Sequence, residues 1–165
     1  MILSIGDWRL LVDEDTTSAY SDTEAAEHCA CGYCRNFYAA VDAVYPKLRP
    51  FLAQFGINIE APDELIPYTP TLYQACYGVA GVILQEGSIS YKVDGLPIRM
   101  DSPDDVDMNT GIDGPHFFVT VGLMELPWVL DEPMEDVISP ANELSFMEKM
   151  FGGIPQNPNS NNSYS

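Results

Sequence analysis

Asp94-Gly95 sits between two short alternating runs, residues 89–93 and 96–100, and this placement predicts an antiparallel hairpin. A two-residue type I′ turn needs positive φ at both central positions, which Asp-Gly accepts. A lone hairpin is not stable in water, so further strands or a helix must cover it. The flanking chain supplies both. Residues 71–84 form an apolar run broken by Gly78 and Gly81, as at a bulge or a close backbone approach. Residues 116–123 (HFFVTVGL) read as a buried strand, and residues 128–130 as an edge strand after Pro127. Trp8, Leu10 and Val12 alternate with polar neighbours and predict a first strand over residues 7–13.

The helices read differently. Tyr33, Phe37, Ala40, Val41 and Val44 recur at helical spacing until Pro46 stops the run. Leu48, Phe51, Leu52 and Phe55 give a second helix, closed by Gly56. Residues 16–22 are polar and turn-like, and Ser21 with Glu24 forms a capping-box pair that predicts a helix start there. Residues 57–70 hold three prolines and predict a loop. Ser139-Pro140 predicts the start of a C-terminal helix ending at Gly152-Gly153. The fold class is therefore α+β: an N-terminal strand and helix pair packed on a mostly antiparallel sheet, with a C-terminal helix. One domain over residues 1–152 and a flexible polar tail over 153–165 follow from the length and the Asn- and Ser-rich end.

Charge bears on partners more than on fold. Against 25 Asp and Glu stand 7 Lys and Arg, a net charge of -18. The hydrophobic fraction of 46% still predicts a packed core. No Lys or Arg lies between Arg99 and Lys149, a stretch holding twelve of the 25 acids. Such a surface opposes binding to a nucleic-acid backbone or an anionic membrane, where basic residues supply the attraction. It suits a protein partner with a basic surface, with Asp101, Asp104, Asp105, Asp107 and Asp113 as the docking carboxylates. In the extreme, carboxylates would mimic phosphates, as in an inhibitor or adaptor of bacterial or phage origin. The plainer reading of a charge run is a solvated face. No apolar run approaches membrane-spanning length, and the start lacks the basic residues and long apolar run of an export signal. A cytoplasmic location with reduced thiols is the expectation, and a homodimer is one assembly to test for.

His28-Cys29-Ala30-Cys31-Gly32-Tyr33-Cys34 is the one dense constellation of ligand-type residues. Thiolates are soft ligands suited to zinc, and a Cys-x-x-Cys pair such as Cys31 and Cys34 can chelate an ion from a tight turn. Cys29 or His28 adds a third ligand. A structural zinc site needs four, so Cys76 or His116 would have to reach in from the sheet. Two other readings stand beside this one. Free cysteines often pack as small apolar groups, and a Cys-x-x-Cys at a helix start can be a redox pair.

Asp105, Asp107, Asn109 and Asp113 place oxygens as in part of a calcium loop, but Thr110 takes the place of the sharp-turn glycine and His116 that of the bidentate Glu. No phosphate-binding loop, dinucleotide fingerprint or nucleophile elbow is present, which points away from an enzyme. The strings WRLLVD, CGYCRNF and FGI, starting at Trp8, Cys31 and Phe55, resemble a group of uncharacterised small bacterial proteins. The resemblance implies that the Cys-x-x-Cys-Arg-Asn-Phe segment is a group feature, and nothing about activity. The functional expectations are thus a non-enzymatic acidic interaction protein, a zinc-binding module or metal-dependent enzyme built on Cys29, Cys31 and Cys34, or a thiol redox protein.

Overall fold

The computed structural model describes residues 1–88, 91–106 and 110–134. Its elements run β1 (Ile2–Ile5), β2 (Trp8–Val12), α1 (Glu14–Ala26), α2 (Gly32–Val44), α3 (Leu48–Ala53), β3 (Glu64–Thr69), β4 (Leu72–Gln85), β5 (Lys92–Val93), β6 (Leu96–Asp101) and β7 (His116–Glu125). The strands form one sheet in the order β1-β2-β4-β7-β6-β5, with β3 also paired to β4, and every pairing is antiparallel. β5, β6 and β7 are successive neighbours and β4 lies beside β7, a Greek-key order. The α+β class is as read from the sequence. The expected C-terminal helix and the tail fall outside the described residues.

The Asp94-Gly95 hairpin forms as expected, with φ of 50° and 80° at the two turn residues. The long strand β4 organises the sheet. Its first half pairs with β3, its second half with β2, and its other edge with β7. Gly81 is where β2 comes closest: a Cβ there would lie 1.9 Å from the Leu11 carbonyl oxygen. The close approach anticipated for that glycine is real.

Alternation gives the sheet two buried faces of different character. On one, Tyr73, Ala75, Tyr77 and Val79 of β4 meet Phe117, Val119 and Val121 of β7 and Ile98 and Met100 of β6. Phe37 and Val41 of α2 and Leu48, Phe51 and Leu52 of α3 belong to this same apolar core. On the other face the buried residues include polar ones, linked in a chain. Arg99 Nε donates to Asp101 (2.8 Å), Thr120 Oγ1 donates to Asp101 (3.4 Å), and Cys76 Sγ lies 3.4 Å from Thr120 Oγ1. Among the described residues, no buried side-chain nitrogen or oxygen lacks a partner.

Three expectations are corrected. The first helix begins not at Ser21 but at Glu14, because Asp13 caps it. Asp13 accepts from the Thr16 backbone N–H (3.0 Å) and from Thr16 Oγ1 (2.7 Å). Residues 57–70 are not all loop, since they contain β3. Pro67 is tolerated within it because β3 pairs on one side only, with β4. Residues 128–130 are not a strand: the Val129 N–H is taken by Asn36 Oδ1 (2.8 Å) instead of a ladder carbonyl.

Candidate metal centre

The cysteine cluster lies where the chain leaves α1 and enters α2. Cys31 is the N-cap of α2, in extended conformation, and its carbonyl accepts from Arg35 N–H (3.0 Å). Cys34 then falls on the first turn, on the buried side, while Cys29 and Cys31 remain exposed. The three Sγ atoms lie within 4.8 Å of one another, close enough to hold a metal ion. A tetrahedral zinc with sulfurs at about 2.3 Å separates them by about 3.8 Å, so closure needs shifts on the order of 1 Å.

The surrounding residues hold this loop in place. The Cys31 backbone N–H donates to Cys29 Sγ (3.4 Å). Arg35 Nε donates to the Ala30 carbonyl (2.8 Å), and its other end pairs with Glu132 (2.7 Å). Tyr38 OH donates to the Cys29 carbonyl (3.1 Å). Asn36 donates from Nδ2 to Pro127 O (3.1 Å) and Tyr73 OH (3.2 Å), which ties residues 127–132, and with them Glu132, to α2. Outer contacts of this kind fix ligand orientation in metal sites.

The thiols are not equivalent. The Cys31 backbone N–H, with the thiols of Cys31 and Cys34, holds the Cys29 pKa below the ordinary thiol range. Burial pushes the Cys34 thiol well above it, and the neighbouring Cys31 and Cys29 add to the rise. The positive end of the α2 dipole favours a thiolate at this turn.

The other candidate ligands stand apart from the converging group. The His28 ring rests on Tyr38, with centroids 4.4 Å apart. Cys76 is in the buried polar chain of the sheet, where burial raises its thiol to about 12. His116 Nδ1 lies 3.0 Å from Gly114 O, and its ring packs edge-on to Phe118. Of the proposed docking carboxylates, Asp104, Asp105 and Asp113 are exposed, whereas Asp101 is buried against Arg99 and Thr120. Asp101 is therefore turned into the sheet's buried polar chain and not toward a docking surface. Asp107, like Asn109 of the calcium-like loop, lies outside the described residues. The strands β6 and β7 flank that loop, not the paired helices of a calcium hand.

Sequence reasoning passed over Arg35, Asn36 and Tyr38 as site residues. One signal was present: Asn36 falls three residues after Tyr33 and four before Ala40, a polar residue inside an apolar stripe. Compared with known proteins, the chain matches no family, no curated protein and no solved structure.

Proposed function

We propose that this chain is a metal-binding protein whose centre is a zinc-class thiolate site on Cys29, Cys31 and Cys34. The observation that carries the reading is the convergence of the three sulfurs within 4.8 Å on a braced loop at a helix start. Soft thiolates select zinc and related ions over hard cations. Three protein ligands leave the fourth position of a tetrahedral ion to water or to a donor from a partner. Burial drives the Cys34 thiol up, which keeps it protonated and a poor ligand in the metal-free protein. A bound metal removes that obstacle, because a coordinating thiol is deprotonated outright.

Metal analysis of tag-free protein purified without added metal tests the proposal. One zinc per chain is expected. Cobalt substitution should give intense thiolate-to-metal bands, lost in Cys31→Ser and in Cys34→Ser. Metal at a hundredfold excess over Kd should stabilise the fold by about 2.7 kcal/mol, read as a rise in Tm on the order of 5–10 °C. Substoichiometric zinc, together with no cobalt spectrum on reconstitution, overturns the reading.

A further inference from the structure

Antiparallel sheets usually turn polar residues to solvent. Here the outward positions of β1, β2 and β4 carry Ile2, Leu11, Val82 and Leu84, exposed by 56, 42, 41 and 50%. They are contiguous: Ile2 pairs with Leu11, Leu11 with Val82, and Leu84 is the next outward residue on β4. Exposed apolar rows of this kind mark interaction surfaces.

Leu11, Val82 and Leu84 of this row also line a trough. Two clefts, of about 670 and 470 Å³, share Gly81, Val82 and Pro115 and so adjoin across β4. The walls are acidic and come from opposite parts of the chain. Asp13, Glu14 and Asp15 stand at the start of α1, Asp113 stands in the loop before β7, and Glu86 lines the smaller cleft. Among the described residues, no Lys or Arg lines either cleft. The α1 N-terminus contributes roughly half a positive charge. With the Met1 amino group, which donates to Val12 O at 3.2 Å, the positive side still falls well short of four carboxylates in the larger cleft. Thr16 holds the Asp13 carboxyl below the usual range, so it stays anionic.

We propose that this trough docks a short peptide segment of a protein partner in which Lys or Arg alternates with Leu, Ile or Val. The apolar residues would lie on Leu11 and Val82, and the basic ones would meet the two acidic walls. A purely polycationic ligand leaves the apolar floor unused, and an apolar one leaves the carboxylates unpaired. The surface is independent of the cysteine centre.

The test is a titration of the isotope-labelled full chain, followed by amide NMR at 150 mM salt. The probe is a mixed hexapeptide pool alternating Lys or Arg with Leu or Val. Amide shifts concentrated at residues 11–16, 80–84 and 113–116 are expected. Asp113→Lys should weaken binding at least tenfold, and Leu11→Thr with Val82→Thr should do the same. Threonine suits a strand, and circular dichroism checks that both variants stay folded. A control pool with Ser in place of Leu and Val, or spermine, should bind at least tenfold more weakly. Equal binding by either control, shifts spread over acids elsewhere, indifference to both variants, or no binding by the pool overturns the proposal.

Discussion

Asn36 interrupts the apolar stripe of α2, yet it is fully buried and satisfied. Its Oδ1 accepts from Val129 N–H, and its Nδ2 donates to Pro127 O and Tyr73 OH. Asn36→Ala removes all three bonds at once and leaves partly buried groups unpaired, at about 1–3 kcal/mol. Urea unfolding should show that loss with little change in the m-value. The same variant frees residues 127–132, and therefore Glu132, the partner of Arg35. A metal site braced by that pair should lose affinity by a few-fold to tenfold in a competition titration, although residue 36 touches no ligand. At this scale the cysteines were legible, because spacing alone brings Cys29, Cys31 and Cys34 together across one turn. The separation of His28 and Cys76 from them was not legible, since it depends on a ring contact with Tyr38 and on strand register.

The elements found in the sequence are those that bury an apolar stripe, run continuously apolar or alternate cleanly: β2, α2, α3, β4, β7 and the β5–β6 hairpin. α1 escaped because it attaches by other means. Its two buried residues are Thr17 and Ser21. Thr17 Oγ1 accepts from the Ala80 N–H (3.0 Å), and Ser21 Oγ accepts from the Asn58 N–H (2.8 Å). Gly56 lets the backbones touch, since a Cβ there would lie 2.5 Å from the Glu14 carbonyl. A helix held by hydroxyls and close approach leaves no hydrophobic period to read. Thr17→Val keeps the shape but orphans the buried Ala80 N–H. It should therefore cost about 1–3 kcal/mol despite the added apolar surface. A variant as stable as the parent in urea unfolding would show that α1 is not fastened there. β3 was hidden for a different reason: Pro67 and the flanking Pro62 and Pro70 read as breakers, and only single-sided pairing excuses Pro67.

For the whole molecule, net charge and buried carboxylates push in the same direction. Among the described acids with resolved shifts, burial raises Asp63, Asp101 and Glu24, and only Asp13 is lowered. Asp63 accepts from Tyr20 OH and from the Gly78 N–H, but burial outweighs both. An acid whose folded pKa is raised holds its proton more tightly in the folded state. Its contribution is greatest below the unfolded pKa, near 4, and is lost as pH rises through the folded value. Glu24 is only half-buried and contributes less. The charge of -18 adds repulsion that protonation also relieves. Stability should therefore rise on acidification from pH 8 to pH 5, the reverse of ordinary acid denaturation. Measurements should stop above the pI of 4.1, where loss of net charge favours association. Salt separates the two causes. Raising ionic strength from 0.01 to 1 M shortens the screening length from about 30 Å to about 3 Å. Repulsion between surface carboxylates then fades, while the desolvation of Asp63 and Asp101 is little screened. In low salt the urea midpoint should climb steeply as pH falls. In 1 M salt it should start higher and climb less, with the remaining slope set by half-buried Asp63 and buried Asp101. Asp63→Asn should reduce that remaining slope. A slope that vanishes in high salt would assign the whole effect to surface charge, and one unchanged by salt would assign it to burial.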